Sequence, residues 1–205
     1  MDGVITDSMP RHCRCWQRAF RDYFGIKVSS LEIYRREGEK SDKSVREILA
    51  LSGRAVSDKE LHEFLDHKAA LFSHTGKIRF FKGMKSFLKK LHRIRKIALV
   101  TGTQRKEVLA HFDEKFLSVF EAIVTSTDVT HGKPHPEPYQ KALNRLAVNP
   151  GKTLVVENAP YGIQSAKACG LKVIALPTSL PAAELKEADY VLKNHEELFA
   201  LMQGA

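Results

Sequence analysis

Four short stretches of this 205-residue chain concentrate the side chains that could act on an anionic group. The first, Met1-Asp2-Gly3-Val4-Ile5-Thr6-Asp7-Ser8, holds two carboxylates. The second, Thr101-Gly102-Thr103, offers a hydroxyl and backbone N–H groups that can hold a phosphate oxygen, although Thr-Gly alone is common in turns. The third, His131-Gly132-Lys133-Pro134-His135-Pro136, fixes a lysine between glycine and proline, which suits a charge that must not wander. The fourth, Glu157-Asn158-Ala159-Pro160-Tyr161-Gly162, follows an apolar run. Hard oxygen donors there suit Mg²⁺, which keeps several waters and takes few protein carboxylates. His131 and His135 could be read as metal ligands, but no third partner is expected beside them and they read as loop residues. Gly151-Lys152-Thr153 ends like a P-loop, but Leu146 stands where the first glycine is required.

The elements that must position these groups divide the chain in two. From about Pro10 to Phe80 the pattern is helical throughout. Trp16, Phe20, Tyr23 and Phe24 recur at helical spacing, as do Val45, Ile48 and Leu49. Ser57-Asp58-Lys59-Glu60 predicts a capping box opening a helix with Leu61, Phe64, Leu65 and Phe72 inward. After Gly83 the pattern alternates. A helix runs to about His92, with Met84, Phe87, Leu88 and Leu91 on its apolar side. Apolar runs follow at 97–100, 122–124, 153–156, 171–176 and 190–192. Helices are expected between them from about Gln104, over Pro138–Leu146 and over Gly162–Ala168, with one more at the end. Continuous apolar strands alternating with amphipathic helices predict an α/β fold, a buried parallel sheet covered on both faces. Ligands sit at the C-terminal strand ends of such sheets, and the second, third and fourth stretches all follow apolar runs.

Composition narrows the rest. With 43% hydrophobic and 28% charged residues, the chain can build one or two compact domains. No apolar run reaches the roughly 18–20 residues of a membrane span, and no signal-peptide pattern opens the sequence, so no membrane partner is expected. Cys13, Cys15 and Cys169 form no Cys-x-x-Cys, and reading them as reduced thiols predicts a cytoplasmic protein. The formal charge is +9, with basic residues crowded between Lys77 and Lys96. Lys85, Lys89, Lys90 and Arg93 fit one solvated helix face without aromatic interleaving, so nucleic acid is not the expected partner. Monomer and dimer both stay open.

The four stretches, in this order, resemble the four signatures of the haloacid dehalogenase-like hydrolases, and the resemblance spans essentially the whole chain. It implies a Rossmann-like parallel-sheet core over residues 1–9 and 81–205, with an all-helical cap inserted over 10–80. The segment Asp7-Ser8-Met9-Pro10-x-His12-x-x-x-Trp16 is similar to the cap entry of β-phosphoglucomutase-like enzymes and sugar-phosphate phosphatases. Asp2 matches the second Asp of the family's Asp-x-Asp signature. The first Asp, the nucleophile that ends the central strand, would sit one residue before Met1. A sheet without that strand leaves buried backbone groups unpaired, at about 1–3 kcal/mol each. A misassigned start, a trimmed chain and a divergent non-catalytic relative all account for this. As it stands, the chain is expected to be nearly inactive.

By the same resemblance, Asp2 protonates the leaving oxygen and then activates water. Thr101 and Lys133 hold the phosphoryl oxygens, and Gly102, Thr103, His12 and Lys40 contact substrate. Asp2, Glu157 and Asn158 hold Mg²⁺. The family more often has Glu-Asp, so Asn158 removes one negative charge, although an amide oxygen can still ligate. Asp2 itself argues for phosphate chemistry, because a departing halide needs no proton. The implied activity is a Mg²⁺-dependent phosphatase acting on a small phosphorylated metabolite. A β-phosphoglucomutase-type mutase is the alternative, weakened because Ser41 stands where such mutases carry Arg. A phosphonate hydrolase would need a Schiff-base lysine, and Lys40 is one residue out of register. A non-catalytic phospho-ligand-binding protein is the third reading.

Overall fold

The structure, a computed structural model, describes residues 1–74 and 76–203. Residue 75 and residues 204–205, which fall inside the expected 10–80 and 81–205 segments, lie outside the described residues. Four helices come first: α1 (Met9–Phe24), α2 (Ser30–Arg35), α3 (Ser41–Leu51) and α4 (Asp58–Ser73). Pro10 sits in the first turn of α1, where its missing N–H costs nothing, and Gly25 closes the helix at φ 70°. The expected capping box opens α4, with Glu60 N–H donating to Ser57 Oγ and Ser57 N–H donating to Glu60 Oε2. α1, α3 and α4 share a core of their own, built on Ala19, Phe20, Val45, Leu49 and Phe64. The Phe20 and Phe64 rings stand 4.8 Å apart.

The remainder alternates as expected: α5 (Met84–Leu91), β1 (Ala98–Val100), α6 (Arg105–His111), α7 (Glu114–Leu117), β2 (Ala122–Val124), α8 (Glu137–Leu146), β3 (Leu154–Glu157), α9 (Pro160–Lys167), β4 (Lys172–Ala175), β5 (Tyr190–Val191) and α10 (His195–Gln203). Two boundaries differ from expectation. The helix after Gln104 breaks at Phe112, which is extended, and Asp113 caps a new turn by accepting the Phe116 N–H. α9 starts two residues earlier than expected, because Pro160 fits the first helical turn.

Every strand pairing is parallel, but the described strands form two sheets, β1 with β2 and β3-β4-β5. Asp2 and Thr6 make only isolated bridges. β1 and β3 are therefore open edges. Val100 and Val156 are half-buried and Leu154 is exposed, whereas Val173, Ile174 and Ala175 of the central β4 are buried. Among the described residues, no helix is long and apolar enough to cross a membrane.

Asp128 ties the turn after β2 to its neighbours. Its carboxylate accepts from Arg105 at 2.9 Å, Arg145 at 2.8 Å, and the Thr125 N–H and hydroxyl at 2.8 and 2.6 Å. Burial pushes this carboxyl up, but the Thr125 and Arg145 donors outweigh it and hold it well below the usual Asp range. Asp128→Asn should cost about 1–2 kcal/mol, because both arginines keep water-exposed ends. A carboxyl depressed on folding stabilises above its unfolded value and loses that stability as pH falls. Thermal melts should therefore show the wild-type advantage shrinking from about pH 6 towards pH 2.

Candidate active site

Asp2 is 4% exposed and surrounded by donors. Ser8 Oγ donates to Oδ1 at 2.5 Å and Thr103 Oγ1 to Oδ2 at 3.2 Å. His12 Nε2 stands 3.4 Å from Oδ1, and its ring stacks on Phe72 at 4.1 Å. Burial alone would raise the Asp2 carboxyl. His12 and Ser8 reverse this and hold it well below the usual carboxylate range, so it is ionised. Burial also lowers the His12 imidazole, against the pull of Asp2.

Glu157, at the end of β3, forms the second polar centre. Lys133 Nζ and Tyr139 Oη each donate to Glu157 Oε1 at 2.5 Å, and Asn158 N–H donates to Oε2 at 3.1 Å. Burial raises this carboxyl, but Lys133 and Tyr139 outweigh it and keep it ionised. Lys133 Nζ also reaches the Val100 carbonyl at 3.4 Å, so one ammonium touches the ends of both β1 and β3. Gly162 leaves room for this arrangement, because a Cβ there would lie 2.2 Å from Glu157 Cδ.

Asp2, His12, Lys40, Gly102 and Thr103 line one cavity of about 670 Å³ between the four helices and the α/β part. Thr101, Lys133, Glu157 and Asn158 do not line it, and lie buried close to its walls. Thr103 N–H donates to Thr101 Oγ1 at 3.1 Å. Gly38, on the loop before α3, bridges the two groups: a Cβ on it would lie 2.6 Å from Lys133 Cδ, and one on Gly102 would lie 2.9 Å from the Gly38 carbonyl oxygen. Gly102 thus seats the helical part as well as facing the cavity. His12, at the start of α1, is largely covered and faces Asp2.

The donor set of Asp2, Glu157 and Asn158 is hard oxygen. The Asn158 side-chain nitrogen is buried without a partner, packed where a Gly3 Cβ would lie 2.1 Å away. A 180° turn of that amide presents its oxygen instead, which fits a cation.

Three residues escaped the sequence reading. Lys68 lines the cavity with its ammonium 4.9 Å from the Trp16 ring centre, and burial lowers its pKa. Its signal was available, since Phe64, Lys68 and Phe72 fall on one i, i+4, i+8 stripe of α4. Glu37 lines the same cavity, and burial, then Asp2, push its carboxyl up to about 8. Nothing in its sequence context marks it. Tyr139 lies on the inner face of α8. One correction concerns His131 and His135, for Glu137 at the start of α8 supplies the third ligand-type side chain beside them.

Residues 1–176 match the family profile described as haloacid dehalogenase-like hydrolase. Hexitol phosphatase A of Escherichia coli is 28% identical over 204 residues, 99% of this chain and 92% of that protein. Validoxylamine A 7'-phosphate phosphatase of Streptomyces hygroscopicus is 24% identical over 204 residues, 97% and 92% of the two chains. A candidate β-phosphoglucomutase of Bacteroides vulgatus superposes with a TM-score of 0.88 at 29% identity, covering 100% of this chain and 86% of that one.

Glu37 sets a pH dependence. With its carboxyl at about 8 against 4.5 ordinarily, the folded protein keeps a proton that the unfolded chain releases. That stability is complete below about pH 4.5 and is lost as pH rises towards 8. Metal-free wild type should therefore lose a few degrees of Tm relative to Glu37→Gln between about pH 5 and 8. A constant difference across that range would contradict the placement of Glu37.

Proposed function

As the chain belongs to the haloacid dehalogenase-like hydrolase family, we propose that its site serves hydrolysis of a small phosphorylated metabolite, a sugar or polyol phosphate. The observation that carries this reading is Asp2, a buried carboxylate kept ionised at the wall of a sugar-sized cavity, with Thr103 beside it. The family's attacking carboxylate, which its first signature places immediately before the Met1 position, is not among residues 1–205. The residues present supply the rest of the step. Asp2, ionised at rest, must first take up a proton before it can give one to the leaving oxygen; it then takes one from the attacking water, and His12 orients it. Thr101 and Lys133 counter the charge that grows on the phosphoryl oxygens. Mg²⁺, held by Asp2, Glu157 and Asn158, would supply further charge neutralisation when bound.

Residues 10–80 act in this reading as a cap that closes over the leaving group and excludes water. Lys40, Lys68 and Glu37 face that group from the cap side of the cavity. A mutase is the second reading, supported by the likeness to the Bacteroides vulgatus protein. Ser41 in place of Arg disfavours it, and dependence on a sugar bisphosphate would separate the two.

The test compares the 1–205 chain with a form extended by an apolar strand ending in Asp directly before Met1. With Mg²⁺ and p-nitrophenyl phosphate or hexitol phosphates, the extended form should release phosphate about 10³-fold faster or more. In that form Asp2→Asn should lower kcat by about 10²–10⁴ and Lys133→Ala by about 10²–10³. Ordinary enzyme rates from the 1–205 chain, or none from the extended form, would contradict the reading.

A further inference from the structure

We propose that His131, His135 and Glu137 form a surface site for a divalent transition-metal ion of the Zn²⁺ class, and that the bound ion clamps the turn carrying Lys133. The three residues each bring one ligand atom within 4.8 Å of the others. Glu137 is the fixed member. Its carboxylate accepts the N–H groups of Thr130 at 2.9 Å and His131 at 2.7 Å, and Lys141 Nζ stands 2.8 Å from Oε1. Oε2 faces the histidines, with His131 Nδ1 3.2 Å away.

The lone pairs are well disposed. His135 Nδ1 accepts the Glu137 N–H at 3.2 Å, so its lone pair points at the backbone of Glu137, beside the carboxylate. His131 is 63% exposed on its side chain and can carry its proton on Nε2, which frees Nδ1. The two rings lie 4.6 Å apart, tilted by 33°. A cation entering here replaces a proton between His131 and Glu137 and displaces one backbone N–H from His135. Zn–N bonds of about 2.0–2.1 Å place tetrahedral donors about 3.3 Å apart, which rotation of two exposed imidazoles can reach. Two imidazoles and one carboxylate select a borderline ion, whereas Mg²⁺ prefers oxygen alone. The fourth position is left to water.

The placement gives the site a consequence. Lys133 lies between the two histidines in sequence, and its ammonium contacts Glu157. The turn is seated at its far end, where Ser165 Oγ donates to the His135 carbonyl at 2.6 Å and His135 N–H donates to the Gly132 carbonyl at 3.0 Å. An ion joining 131, 135 and 137 restrains the segment that positions this ammonium.

The experiment titrates ZnCl₂ into the 1–205 chain by calorimetry with MgCl₂ in excess, and records the visible spectrum with Co²⁺. One Zn²⁺ per chain is expected, with a rise in Tm at saturation. His131→Asn and His135→Asn should each weaken binding about tenfold or more, and the double variant should abolish the rise in Tm. His62→Asn, on the exposed side of α4, should change neither. Unaltered affinity in the double variant, or no Zn²⁺ binding to wild type, overturns the proposal. Should the double variant fail to fold, the wild-type Co²⁺ spectrum decides. Tetrahedral nitrogen and oxygen bands support the site, and thiolate charge-transfer bands, which would place the ion on cysteine, overturn it.

Discussion

The Lys133–Glu157 ion pair is the constraint on which the rest depends. It joins the ends of two sheets that share no strand pairing among the described residues, for Lys133 reaches the Val100 carbonyl of β1 while it holds Glu157 of β3. Both side chains are under 8% exposed, so neither charge is solvated by bulk water. A buried pair of this kind adds little over a well-packed apolar pair, but removing one member strands the other at about 3–5 kcal/mol. The surrounding residues follow from that. Tyr139 fills a further acceptor position on Glu157, Gly162 makes room for its carboxylate, and Gly38 makes room for the lysine stem.

The same pair explains how the helical part is seated. The Gly38 loop rests on Gly102 and Lys133 at once, so the position of the four helices is referred to the groups with the greatest chemical potential. Arg35 and Glu184, paired at 2.7 Å, add a second tie between the two parts. The cavity between them therefore has walls from both, with Asp2 and Thr103 on one side and Glu37, Lys40 and Lys68 on the other. An arrangement of this kind lets one part hold a reacting group while the other reads what it is attached to.

The α/β order and the short apolar strands were legible because buried parallel strands are continuous apolar runs, and runs of that kind are hard to mistake next to amphipathic helices. The meeting of Lys133 with Glu157 was legible too, since chain segments leaving the same end of a parallel sheet approach one another there. What the sequence hid was set by tertiary geometry. Glu37 and Tyr139 reach the site from a loop and a helix whose orientation no local pattern encodes. The break at Phe112 depends on a single extended residue. Glu137, two residues after His135, was by contrast an available signal, and its carboxylate brings His131 to it by accepting the Thr130 and His131 N–H groups. Lys68 is different too, since a lysine on the Phe64–Phe72 stripe was an available signal. The division into two sheets was only half foreseen: the open edges were expected, but the lysine that spans them was not expected to hold Glu157.

The most direct measurement is a crystal structure of the 1–205 chain grown with MgCl₂ and tungstate as a phosphate mimic. The anion is expected within hydrogen-bonding distance of Lys133 Nζ and the Thr101 hydroxyl, with Mg²⁺ on Asp2, Glu157 and Asn158, directly or through water. An anion bound only elsewhere, with Lys133 still engaged solely by Glu157 and Val100, would contradict it.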